Sequence, residues 1–173
     1  MFCSIIGHPL KSPRSVKIWK NFFKKKKLKI DMLAIDINSL NFKRYIKDLL
    51  KNENFLASAI TMPYKKEVIK YVKINDKISS FANSINLIVK KKKTLLGYNT
   101  DVYGALESVK NLNNKKILIF GFGGTGEAIY KTFSNVYKKA KFTIVSSKTN
   151  LKLMRKTKIK KKITEEDIST ADL

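Results

Sequence analysis

Along this chain, short runs of β-branched and aliphatic residues alternate with stretches in which apolar positions recur at helical spacing. The run at 2–6 reads as a strand. Beyond the Gly7, His8, Pro9 turn, the spacing of Val16, Trp19 and Phe23 predicts a helix packing one face on a sheet. Residues 30–37 form a second strand pattern. A helix pattern follows over 40–50, with Tyr45, Ile46, Leu49 and Leu50 on its inner side, and 56–61 is a third strand. Pro63 stands where a helix can begin, because a proline in the first turn forfeits no needed donor. Residues 84–89 and 94–98 read as two strands joined across Lys90–Lys93, a run of like charge that is tolerable only in a solvated hairpin tip. Val102, Leu106, Val109 and Leu112 share a helical face, and 111–114 supply polar turn residues. The strand pattern resumes at 115–120 and again at 142–145, the last clear strand. Strands alternating with helices predict an α/β protein. We expect an N-terminal, mostly parallel α/β domain over 1–104, followed by a partial Rossmann-type domain over 105–173.

Composition narrows the class. A chain of 173 residues that is 43% hydrophobic can bury a core. The single cysteine, Cys3, excludes an internal disulfide, and with one histidine there is no set of residues for a structural zinc site, so no metal is expected. The N-terminus shows neither a basic opening nor a long apolar stretch, and no apolar run reaches membrane-spanning length, so a cytoplasmic protein without membrane association is expected. The net charge of +24 invites a nucleic-acid reading. Only Arg14, Arg44 and Arg155 among the 37 basic residues are arginines, however, and base readout leans on the planar guanidinium. No specific nucleic-acid partner is expected, although so positive a field attracts anionic small molecules. The lysine runs at 24–27 and 160–162 read as solvated faces.

The motif with the clearest physical content is Gly121-Phe122-Gly123-Gly124-Thr125-Gly126, which directly follows the strand KKILIF and opens the helix EAIYKTFSNV. In that position Gly121, Gly123, Gly124 and Gly126 allow a tight turn, and the helix N-terminus presents N–H groups to a pyrophosphate. A glycine turn of purely structural purpose is the alternative. The next strand ends in Ser146, Ser147, Lys148 and Thr149, without the carboxylate that holds the ribose 2′-hydroxyl of NAD. Hydroxyls and a cation at Ser147, Lys148 and Thr149 suit a 2′-phosphate, which favours NADP.

Two segments of the first domain carry candidate chemistry. TMPYK at 61–65 ends a strand at a proline turn, and Asn99-Thr100-Asp101 closes the hairpin and starts a helix. Taken singly, Lys65 is one lysine among many and Asp101 a helix cap. In order and spacing, though, IIGHPLKSPRS, ITMPYK, SINLI with LLGYNTDVYG, and ILIFGFGGTG together resemble the shikimate dehydrogenase family over nearly the whole chain. The resemblance implies reversible NADPH-dependent reduction of 3-dehydroshikimate to shikimate, a step of aromatic amino-acid biosynthesis, with that small molecule as the partner. It implies Lys65 as acid/base at the reacting oxygen, Asp101 as its carboxylate partner, Thr61 and Asn86 as contacts to the substrate, and Ser15 as a carboxylate ligand. An ammonium beside the oxygen that gains charge on hydride arrival is sound chemistry.

The chain also departs from the family pattern. A paired-serine loop is represented by Pro13-Arg14-Ser15, which leaves Ser12 or Arg14 to take over carboxylate binding, with Arg14 equally readable as an exposed charge, and an Asn-Thr pair is represented by Asn86-Leu87. These changes leave open a quinate/shikimate-type enzyme acting on a related cyclic hydroxy acid. The pattern of the cofactor domain breaks off after two clear strands, which leaves open a noncatalytic, truncated remnant that binds dinucleotide or polyanions. His8, Cys3 and Trp19 read as structural. Oligomeric state is not legible.

Overall fold

The computed structural model describes residues 1–147, 153 and 157–173. They form two compact units, Met1–Ser80 with Ser84–Thr100, and Phe81–Asn83 with Asp101–Leu173.

In the first unit, β1 (Phe2–Gly7), α1 (Arg14–Lys25), β2 (Asp31–Asp36), α2 (Ser39–Lys51) and β3 (Phe55–Ile60) make successive parallel strand–helix–strand crossovers. A hairpin of β4 (Leu87–Lys91) and β5 (Thr94–Tyr98) completes a five-stranded sheet in the order β2-β1-β3-β4-β5. Because β4 is antiparallel to both neighbours, β1, β2, β3 and β5 all point the same way. The sequence expectation of a mostly parallel sheet holds, and of the lysine run Lys92 and Lys93 form the hairpin turn while Lys90 and Lys91 end β4.

The core lies where α2 meets the sheet. Phe42, Ile46 and Leu49, spaced to share one helical face, are buried with Ile6, Ile60 and Tyr64. The Phe42 ring stacks on Tyr64 at 4.0 Å between centroids. Each such side chain taken out of water contributes roughly 1.5–3 kcal/mol. Asn38 starts α2 by accepting a hydrogen bond from the Asn41 N–H, which satisfies one donor of the first turn. In α1, of the three residues expected on the inner face only Phe23 is buried. Trp19 remains 44% exposed, and its ring contacts are with Phe22, edge-on, and Phe23 of the same helix. After Pro63 the chain makes a turn and then a 3-10 helix, Glu67–Tyr71, in place of the expected α-helix, and α3 (Lys77–Ala82) is an element the sequence pattern did not reveal. The helix predicted to run to Leu112 is the shorter α4 (Thr100–Glu107), and Val109 and Leu112 pack beyond its end.

The second unit is built on β6 (Lys116–Phe120), α5 (Gly124–Val136) and β7 (Lys141–Val145). It also contains a third parallel strand, β8 (Thr157–Lys160), where the sequence had offered only two, followed by α6 (Glu165–Ser169). TKIK escaped notice because a single aliphatic residue between lysines carries almost no periodic signal. Its backbone pairing with β7 and a hydrogen bond between the Tyr130 and Thr157 hydroxyls hold it in place. Along the other edge of β6, Asp172 N–H donates to Lys116 and Leu118 N–H donates to Leu173, so residues 172–173 pair with that edge. Among the described residues, no helix is long and apolar enough to cross a membrane.

Candidate active site

Parallel strands converge their carboxyl ends on one edge of a sheet, and α/β proteins gather ligand-binding groups there. In the first unit that edge carries the loop after β1, the end of β2, the turn after β3, the start of β4 and the residues after β5. Of the residues singled out from sequence, Thr61, Lys65 and Asn86 all lie at this edge. The Thr61 N–H donates to Ile6 at 2.9 Å, and the Lys65 carbonyl accepts from Ile85 at 2.7 Å. Asn86 is held between two exits: its carbonyl accepts from Ile60, and its N–H donates to Tyr98. The Asn86 side chain clasps Thr100 twice, donating to Oγ1 at 2.9 Å and accepting from its N–H at 2.8 Å. The amide therefore fixes the residue that opens α4.

Beneath this clasp, Asn99 is almost wholly buried. Its N–H donates to Ser79 Oγ, and its Nδ2 donates to both the carbonyl and the hydroxyl of Ser84, each at 2.8 Å. Buried polar groups persist only when paired, so this network makes Asn99 the anchor of the 99–101 segment. Asp101 follows directly and belongs to the second unit. Ser15 lies half-buried in the first turn of α1, while Arg14 is exposed. The residue before the helix, Pro13, offers no side-chain cap.

Sequence reasoning missed a second group at the same edge. Gly7 and Asp36 are register partners at the ends of β1 and β2, and Asp36 accepts from His8 Nδ1 at 2.7 Å and from the Leu10 N–H at 3.0 Å. An ionised carboxylate only accepts, so Nδ1 carries the proton. The Leu10 amide and then His8 hold the Asp36 carboxyl below its ordinary range. The loop after β1 is thereby tied to β2. Its other side is tied to β3: the His8 N–H donates to the Met62 carbonyl, and a Cβ on Gly7 would fall 2.4 Å from the Thr61 methyl. Nothing local in the sequence signals a pair 28 residues apart that only parallel strand pairing brings together.

In the second unit the glycine loop occupies the equivalent carboxyl edge. Gly121 adopts φ of +90°, a conformation side chains disfavour, and a Cβ on Gly126 would fall 2.3 Å from the Gly121 carbonyl oxygen. Gly123 caps α5, and a Cβ there or on Gly124 would meet nothing within 4 Å. The loop is thus closed tightly on its inner side and open in front of the helix, where first-turn N–H groups lack intrahelical acceptors. A dinucleotide pyrophosphate fits that cradle. An open pocket of about 580 Å³ joins Gly121 and Gly123 to Ser146, Ser147, Lys161 and Lys162. Lys148 and Thr149, also expected to contact the cofactor, lie outside the described residues. Among the described residues, no cluster of histidine, cysteine and acidic side chains could hold a metal ion.

Comparison with known proteins agrees with this geometry. Residues 5–88 match the family model for the shikimate dehydrogenase substrate binding domain. The chain is 30% identical over 164 residues to a shikimate dehydrogenase (NADP(+)) of Clostridium botulinum, covering 90% of this chain and 62% of that protein. It is 32% identical over 129 residues to the enzyme of the same name from Methanocaldococcus jannaschii, covering 72% of this chain and 45% of that protein. Among solved structures, the shikimate dehydrogenase of Aquifex aeolicus superposes with a TM-score of 0.82 at 24% identity, covering 98% of this chain and 65% of that one. The chain thus spans under two thirds of the length of each of these relatives. With its substrate-domain edge and glycine loop built as described, this chain is similar to the shikimate dehydrogenase family over most of its length.

Proposed function

We propose that this chain carries out the NADPH-dependent reduction of 3-dehydroshikimate to shikimate, with residues 1–104 as the substrate-binding domain and 105–173 as the NADP-binding domain. The observation that carries the reading is the convergence of Thr61, Lys65 and Asn86 on one carboxyl edge, in a chain whose second unit holds an open glycine cradle. Relatives named as NADP(+) shikimate dehydrogenases support it.

In this reading NADPH, when bound, supplies a hydride to the ketone carbon. Lys65 stabilises the charge growing on the ketone oxygen and delivers the proton that makes it an alcohol. Asp101 takes the role of the carboxylate that the family pairs with this lysine, on the strength of the NTDVYG match. Thr61 and Asn86 orient the ring hydroxyls, and Ser15 binds the carboxylate. The Asn99 network keeps the 99–101 segment in place. Gly121, Gly123, Gly124 and Gly126 seat the pyrophosphate, and Ser147, Lys148 and Thr149 the adenosine end. As a biosynthetic enzyme drawing on NADPH it would act in the cytoplasm.

Purified chain should consume NADPH only when 3-dehydroshikimate is present. Lys65→Ala should retain NADP⁺ binding and lose turnover by at least about a hundredfold, the scale of a lost general acid. Undiminished turnover in that variant would remove Lys65 from the mechanism. A related cyclic acid such as quinate is the second reading, favoured by Pro13 where the family has the first serine of its pair. Comparison of kcat/KM for the two acids decides between them.

A further inference from the structure

Read from sequence, the lysines at 160–162 belong to a solvated face. The structure gives them separate fates. Lys160 is committed to Asp167 at 2.6 Å, beside the capping box that starts α6. Lys161 and Lys162 instead line the pocket that also contains Gly121, Gly123, Ser146 and Ser147. Among the described residues, neither makes a hydrogen bond or ion pair. Two adjacent ammonium groups without counter-charges in a pocket floored by a pyrophosphate cradle constitute an anion site.

The topology selects which phosphate they meet. The glycine loop leaves β6, the central serines leave β7, and the lysines leave β8, in the spatial order β6-β7-β8. In a dinucleotide fold the pyrophosphate lies on the loop after the first of these strands, and the ribose 2′-position lies at the end of the second. The third strand exit is therefore next to the 2′-position and one strand removed from the pyrophosphate. The Ser146 N–H donates to the Lys160 carbonyl at 2.9 Å, so the exits of β7 and β8 are coupled by backbone at this point. We propose that Lys161 and Lys162 hold the 2′-phosphate of NADP, so that the preference for NADP over NAD is carried from β8 as well as from the segment after β7. The assignment rests on the cofactor reading above and extends it to residues that reading did not include.

Isothermal titration of the intact chain with NADP⁺, NAD⁺ and 2′,5′-ADP tests this without reference to turnover. The Lys161→Ala/Lys162→Ala variant should bind NADP⁺ and 2′,5′-ADP about ten- to a hundredfold more weakly, as expected for lost charge-assisted hydrogen bonds. Its affinity for NAD⁺ should stay within about twofold, because NAD⁺ lacks the group contacted. Lys161→Arg/Lys162→Arg should retain the preference. A control pair, Lys138→Ala/Lys139→Ala, removes the same charge from an exposed segment of the same unit. Equal weakening by the control would assign the effect to the general positive field and overturn the proposal. NADP⁺ and NAD⁺ falling together, or neither falling, would also overturn it while leaving the cofactor reading intact. An unaltered chain that binds neither dinucleotide would overturn both.

Discussion

The glycine loop permits a test in which two chemically identical changes have opposite readouts. At Gly126 an added methyl would sit 2.3 Å from the Gly121 carbonyl oxygen, whereas ordinary contact begins near 3.4 Å. Both partners are backbone, so the loop itself must move by roughly an ångström, an overpacking that costs about 1–3 kcal/mol. The better helix propensity of alanine returns at most about 1 kcal/mol. Gly126→Ala should therefore lower the stability of the second unit by up to about 2 kcal/mol. At Gly123 the methyl meets nothing within 4 Å and φ is an unstrained −78°. Gly123→Ala should cost no more than about 1 kcal/mol, the loss of a glycine N-cap, but the methyl projects into the space in front of α5. Dinucleotide affinity should then fall at least about tenfold, or about 1.4 kcal/mol. Native-state hydrogen exchange of the β6 and β7 amides reads the first effect locally, and titration with NADP⁺ reads the second. Unchanged protection in Gly126→Ala, or wild-type affinity in Gly123→Ala, would refute the reading of this loop as tight within and open without.

Other expectations concern the first unit. Asn99→Ala strips two donors from Ser84 and leaves its carbonyl buried, which should cost about 2–4 kcal/mol, seen as a lower thermal midpoint by Trp19 fluorescence; a loss below about 0.5 kcal/mol would deny it the anchoring role. Because the Asp36 carboxyl titrates below its ordinary range, its contribution to stability is complete above the unfolded-state pKa and disappears as pH falls through the lower folded-state value. Asp36→Asn should flatten that part of the acid stability profile, measured by urea midpoints across the acid range, and an unchanged profile would argue against the His8 and Leu10 contacts.

Much of the architecture was legible because periodicity reports faces. Phe42, Ile46 and Leu49 advertise a helix, and KKILIF before GFGGTG advertises a strand entering a nucleotide loop. Trp19 misled because an aromatic at the correct spacing can pack on its own helix as well as on a sheet. β8 stayed hidden because pairing with β7, rather than its own composition, makes TKIK a strand. Lys65, Asn86 and Asp101 were legible as candidates through motif order, and the structure sets the first two at one carboxyl edge. His8 with Asp36, and Lys161 with Lys162, were not, since their surroundings are set by parallel neighbours distant in sequence.

The nesting of Thr61 against Gly7 means that the loop after β1 and the proline turn after β3 share a single hinge line. With no room for a side chain at 7 and the His8 amide fastened to Met62, displacing the proline turn drags along the loop that leads into α1, where Ser15 sits. A substitution in either segment would therefore need a matching change in the other, since altering one alone would distort both.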